Sequence, residues 1–394
     1  MSFFGCRRRM LTTYNTRPDL ARAASAADDR ARSAAGYPRS AYRSLSDTRT
    51  QTSFGHWADE DKIDVSVFRV ECLTEDWKHS PMEPHLNALT DTQYCPLWHD
   101  QHVRPERCPP LSGDDKCELL IVGAGFTGLW AALQATERMP SLDIILIEST
   151  FVGSGASGRN GGMLTKALAH GDSNLDHHFP NEADRIDTLG KLNYQEILES
   201  LDRYDIDARF EHAGYMKVAA RAYQVEALRR FYEQKAQHDA TVTWHDQDDV
   251  QRMISSPSYK AGVHLPGRGG ILDPARLCWE LKRTLLNLEV RIFETTPMLR
   301  FSVHDTGVKT DCPNASIRSD RLLMATNAFP NPLGRIRKSV IPVWDYQLAT
   351  EPLSSSQRES IGWKDPFGVS DFDNMFHYSP RPQNLWVKER PRRA

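Results

Sequence analysis

The sequence predicts an α/β protein, and three observations carry that prediction. A short, continuous apolar run at 119–122 and a second stretch at 142–147 have the texture of parallel strands buried on both faces. Residues 127–139 lie between them and read as a helix ended by Pro140, which makes a βαβ unit. Further on, Asp273-Pro274 is an N-cap followed by proline at the first helical position. Leu277, Leu281 and Leu285 then fall on one helical face. A strand at 290–293 follows that helix. Another helix at 223–239 has Val225, Leu228 and Phe231 as its apolar side, and 322–325 reads as one more buried strand.

The chain has 394 residues with a net charge of −3, so it presents no basic field to hold nucleic acid. No apolar run approaches the roughly 18 residues that span a bilayer. Seven cysteines (Cys6, Cys72, Cys95, Cys108, Cys117, Cys278 and Cys312) form no Cys-x-x-Cys pair, which fits free thiols in a reducing compartment. Residues 1–91 lack a helical or strand period and read as a largely disordered extension ahead of a folded region at 92–394. Residues 1–45 carry nine Arg and three Asp, a surplus of +6. A cytoplasmic location is expected, with a mitochondrial presequence as the alternative reading of that Arg-rich start.

Gly123-Ala-Gly125-Phe126-Thr127-Gly128 sits between the first strand and its helix, and Glu148 closes the second strand. Gly123 makes the tight turn, Gly125 lets backbone approach a pyrophosphate, and Gly128 permits close helix–strand packing. The helix N-terminus offers unpaired N–H groups and a positive dipole end to phosphate. Glu148, followed by Ser149, is placed to accept from a ribose 2′-OH and to repel a 2′-phosphate. Strand, loop, helix and acid in register point to an adenine dinucleotide but do not separate FAD from NAD.

Directly after comes Gly153-Ser-Gly-Ala-Ser157-Gly158-Arg159-Asn160-Gly161-Gly162. Bare backbone N–H groups and small polar side chains suit the wall of a flavin ring. Together, IVGAGFTGLW, the Glu-ended strand and VGSGASGRNGG resemble the FAD-dependent D-amino-acid oxidase/glycine oxidase superfamily, most of all its γ-glutamylputrescine oxidoreductase-like branch. The segment from Cys95-Pro-Leu-Trp98 to Leu111-Ser-Gly-Asp114 resembles that family's lead-in. Glu294-Thr-Thr-Pro-Met298 resembles its strand end near adenine, and Met324-Ala325-Thr326-Asn327-Ala328 its third FAD-domain strand.

The resemblance implies an FAD-binding Rossmann-like domain (about 115–175 and 272–335) with a mixed-sheet substrate domain (about 176–271 and 336–380). It also implies oxidation of the C–N bond of a small amine or amino acid. Hydride would pass to flavin N5, the imine would hydrolyse, and O2 or another acceptor would reoxidise the flavin. The implied cofactor residues are Gly123, Gly125, Phe126, Thr127, Gly128, Glu148, Ser149, Ser157, Arg159, Asn160, Gly161, Gly162, Met298, Ala325, Thr326 and Asn327. His170 is the candidate for proton handling and Tyr346, beside Trp344, for the cavity wall. Lys166 is a weaker candidate for oxygen activation. No metal is expected, because the Cys/His spacings match no zinc template. The stretch SPRPQNLWVKERPRRA departs from the family's continuation, so a truncated, non-catalytic FAD-binding remnant stands as one alternative. An NAD-dependent dehydrogenase, which the second glycine loop disfavours, is another.

Overall fold

The computed structural model describes residues 96–100, 103–169, 172–328, 338–341, 349–350, 353–365, 367–372 and 377–379. The described chain enters through one helical turn, α1 (Leu97–Asp100), with Trp98 buried. β1 (Asp115–Val122), α2 (Phe126–Arg138) and β2 (Ile144–Ile147) then form the predicted βαβ unit, and α2 ends just ahead of Pro140. β1 and β2 run parallel, Leu119 opposite Ile144 and Val122 opposite Ile147. Ile121, Ile144 and Leu146 pack with Leu129 and Leu133 of α2, while Leu120, Val122, Ile145 and Ile147 enter a second cluster on the other face. Period-two alternation with both faces covered explains why 119–122 and 144–147 carry no polar residue.

Next come β3 (Met163–Thr165), α3 (Asp172–His178), α4 (Ala183–Arg203), β4 (Glu211–His212) and β5 (Tyr215–Ala219). α5 (Ala222–Ala236) is the helix expected at 223–239; it buries Leu228, with Val225 and Phe231 half-buried beside it. β6 (Thr243–His245), α6 (Gln247–Met253), β7 (Ala261–Leu265) and β8 (Gly269–Ile271) lead to α7 (Pro274–Asn287). α7 starts as predicted: one Asp273 carboxylate oxygen accepts from the Ala275 and Arg276 N–H groups, each at 3.0 Å. Leu277, Leu281 and Leu285 are buried in the same cluster as α2. The remaining elements are β9 (Arg291–Phe293), β10 (Arg300–His304), β11 (Gly307–Cys312), β12 (Ala315–Met324), α8 (Ser355–Ile361), β13 (Gly368–Asp371) and β14 (Tyr378–Ser379).

Three sheets result. The largest has the order β10-β11-β12-β1-β2-β9, parallel from β12 to β9 and antiparallel through the β10–β11 hairpin. A mixed sheet has the order β14-β13-β5-β7-β6, with β13 parallel to β5, and a small antiparallel sheet joins β3, β8 and β4. The fold is thus α/β with a second, mixed sheet, the class read from the sequence.

One expectation needs correction. The run 322–325 lies at the end of β12, but Leu322, Leu323 and Met324 are only half-buried. Pairing with β11 stops at Ser319, so among the described residues the last part of β12 has a strand neighbour on the β1 side alone. The C-terminal ends of β1, β2 and β12 lie side by side, the place where open parallel sheets receive ligands.

Candidate cofactor site

The first glycine turn is held by backbone on both sides. Gly123 N donates to Ile147 O at 2.8 Å, and Ala325 N donates to Val122 O at 2.8 Å. Gly123 has φ +106°, and a Cβ there would lie 2.6 Å from Ala325 O. Both the turn and the neighbouring strand therefore exclude a side chain. A Cβ on Gly128 would lie 2.0 Å from Gly123 O, so α2 rests directly on the turn. Phe126 is a core residue, and only its backbone faces the site.

The amides at the start of α2 meet a side chain from the second loop. Ser157 Oγ accepts from Phe126 N at 2.9 Å, and it is close enough that a Cβ on Gly125 would lie 2.9 Å away. Gly125 thus admits Ser157 to the helix N-terminus. Glu148 is tied into the same turn: one carboxylate oxygen accepts from Ala124 N at 2.9 Å. Its other oxygen accepts from Ser149 Oγ at 3.0 Å and Thr150 N at 3.1 Å. Thr326, past the end of β12, has a buried Oγ1 with no hydrogen-bond partner among the described residues. Asn327 beside it is exposed with φ +53°, Met298 is half-buried against the cluster that holds Val122 and Ile147, and Thr127 is exposed.

The second loop is stapled by its own asparagine. Asn160 Nδ2 donates to Ser157 O at 2.8 Å and to Ala156 O at 3.3 Å, and its Oδ1 accepts from Gly162 N at 3.0 Å. Arg159 Nε donates to Ser154 O at 2.7 Å from an exposed position. The glycines here face protein atoms. A Cβ on Gly153 would meet Cys278, one on Gly158 would meet Gly153 O and His99 Nε2, and one on Gly162 would meet Leu272 O. A Cβ on Gly161 would lie 2.1 Å from the Tyr378 ring, so a strand of the mixed sheet rests on this loop. Burial and the Arg159 and Arg104 charges hold the His99 imidazole below its ordinary pKa.

Sequence reasoning missed a buried ion pair beneath the loop. Lys282 on α7 and Glu294 after β9 meet at 2.5 Å with side chains 6% and 2% exposed. Glu294 also accepts from Cys108 N at 2.5 Å and Val152 N at 2.6 Å, while Lys282 donates to Glu106 O at 2.7 Å. One signal was available: Lys282 lies between Leu281 and Leu285 and four residues after Cys278, on the apolar face of its helix. His170, Tyr346 and Trp344 lie outside the described residues. Lys166 Nζ lies 5.3 Å from the Tyr194 ring centroid.

Residues 118–391 match the FAD dependent oxidoreductase family, DAO. The chain belongs to that family. Among curated relatives of this DAO-family chain, a probable oxidoreductase OrdL of Haemophilus influenzae is 26% identical over 285 residues, 70% of this chain and 65% of that protein. The γ-glutamylputrescine oxidoreductase of Escherichia coli is 26% identical over 272 residues, 66% of this chain and 61% of that enzyme. The chain therefore spans less than two thirds of the length of these relatives. Among solved structures, glycine oxidase from Geobacillus kaustophilus aligns with a TM-score of 0.46 and 19% identity, over 55% of this chain and 56% of that one. No helix among the described residues is long and apolar enough to cross a membrane.

The described residues fit the family's FAD on the donor chemistry present. Ser157 accepts from Phe126 N and retains its own hydroxyl proton for an anionic oxygen. Thr326 Oγ1 is a buried hydroxyl with no partner among the described residues, and the turn at Gly123 admits no side chain of its own.

Proposed function

We propose that the protein is an FAD-dependent oxidoreductase that oxidises the C–N bond of a small amine or amino acid. The observation that carries this reading is the convergence of Gly123, Glu148, Ser157 and Thr326 at the C-terminal ends of three parallel strands. The substrate class rests on the relative named γ-glutamylputrescine oxidoreductase and on the motif resemblance described above.

When bound, FAD supplies a hydride acceptor at its flavin N5. The chain's own part is to hold and orient. Glu148, fixed by Ala124 N and Thr150 N, would present its carboxylate to a ribose diol. The α2 N-terminus and the Ser157 hydroxyl would offer the diphosphate a positive dipole end and a free proton. Thr326, whose buried Oγ1 has no partner among the described residues, would donate to the same group. The loop from Gly153 to Gly162 and the Tyr378 ring behind Gly161 form a firm wall for the flavin half. His170 and Tyr346 remain the candidates for proton handling and for the substrate wall. The product imine would hydrolyse in water, and the reaction would need O2 or another electron acceptor.

The test is the visible spectrum of the purified full chain before and after excess FAD, followed by gel filtration and a screen of amines and amino acids. Flavin bands that co-elute with the wild type and are lost in Gly123→Val support the reading. The valine Cβ would stand 2.6 Å from Ala325 O, in a turn at φ +106°. A folded wild type that stays colourless with excess FAD overturns it.

A further inference from the structure

The lead-in before β1 has no assigned role, yet it grips the second glycine loop at both ends. At the far end, Trp98 Nε1 donates to Asn160 O at 2.7 Å, and its ring would stand 3.3 Å from a Cβ on Gly162. His99 stacks on Trp279 with centroids 5.9 Å apart and sets its Nε2 against Gly158. At the near end, the Arg104 guanidinium lies 4.2 Å from the Phe151 ring centroid, and the His99 ring meets the same phenylalanine edge-on at 5.4 Å. Beside it, Cys108 N and Val152 N share the two oxygens of Glu294, and Lys282 joins that carboxylate to Glu106 O. The loop's first residues and its last thus answer to one segment lying outside the βαβ unit.

We infer that residues 96–100 and 103–111 act as a strap that holds the glycine loop in its cofactor-receiving shape, with Trp98 as the principal positioning residue. This rests on the FAD reading above. The physical argument is one of pre-organisation. A loop with so many glycines loses much backbone entropy when ordered. A cofactor that binds only the ordered loop has its apparent affinity reduced by the fraction of molecules in which the loop is disordered. Contacts supplied by the strap in the free protein remove that reduction. Asn160 alone does not suffice, because its amide bonds lie within the loop and leave the loop's attachment to the rest of the molecule to other residues. Trp98 reaches the backbone of that same residue from outside.

Trp98→Phe tests this in the full chain. An aromatic ring is retained, while the N–H to Asn160 O is lost together with the indole Cζ2 edge that lies nearest Gly162. Loss of one such bond shifts the loop's order–disorder balance by about five-fold, so the dissociation constant for FAD should rise by up to that factor. Hydrogen exchange of the FAD-free protein provides an independent readout. Amides of 152–162 should exchange faster in the variant, while those of α5, remote from the strap, should keep the wild-type rate. A general loss of stability would accelerate both, and that outcome overturns a positioning role. Unchanged exchange in 152–162 also overturns it, as does an unchanged FAD dissociation constant in a wild type that binds. A wild type that does not bind FAD defeats the functional reading alone, and the exchange comparison still decides the strap. If Trp98→Phe accumulates too little folded protein, Trp98→Tyr in the same two assays replaces it.

Discussion

Glu294→Gln tests the buried ion pair that joins the lead-in, the glycine loop and α7. The change removes one charge and leaves Lys282, 6% exposed, without its counter-ion. Leaving a buried charge unpaired costs about 3–5 kcal/mol. Glutamine also has one acceptor oxygen where the carboxylate has two, so either Cys108 N or Val152 N must face an NH2 group, at a further ~1–3 kcal/mol if the site does not relax. The two terms together give an expected loss of about 6 kcal/mol, a large share of the 5–15 kcal/mol typical of a folded domain. At ~2 °C per kcal/mol for a unit of this size, the melting temperature should fall by about 12 °C. The double variant Lys282→Met/Glu294→Gln removes the stranded charge and leaves the amide mismatch and the lost bond from Lys282 to Glu106 O, so it should lose about 3 kcal/mol, less than the single variant. Urea titration and thermal melts of both proteins measure these values. A single variant that loses under about 1 kcal/mol, or a double variant at least as damaged as the single, would refute the reasoning.

Asp273→Ala removes the acceptor for two amides at the start of α7 and, because the site is buried, should cost about 2 kcal/mol, the upper end for an N-cap, read as a lower urea midpoint with an unchanged slope. Stability should fall as pH drops from 7.5 to 5.5. Burial holds His99, His245 and His264 below 6.5 in the folded chain, with Arg159 and Arg104 adding to this at His99, against Asp273. In that window the unfolded chain binds more protons, so the stability present above pH 6.5 is lost on acidification. Asp114, Asp239 and Asp311 are lowered from 3.8 and begin to count only at more acid pH. A melting temperature that is flat or higher at pH 5.5 would contradict this, and His99→Gln should reduce the drop.

The sequence by itself determined the parts whose causes are local. The runs at 119–122 and 144–147 are apolar because each strand is covered on both faces, and the helix between them stops at a proline. Asp273-Pro274 starts α7 through its own side chain, two and three residues from the amides it caps. The turn at Gly123 and the acid at Glu148 were legible because a strand, a tight turn and a helix impose fixed spacings on the chain. Tertiary structure decided what depends on meetings between distant segments. Only the pairing of β12 with β1 shows why 322–324 is half-buried and why Gly123 must lack a Cβ. Ser157 at the start of α2, Trp98 on Asn160 and Lys282 against Glu294 have no periodic signature. A glycine reads the same in sequence whether it makes room for a ligand, a carbonyl or a ring. In the second loop, Leu272 O, His99 and Tyr378 supply that reason, and each arrives from a part of the chain that periodicity does not connect to it.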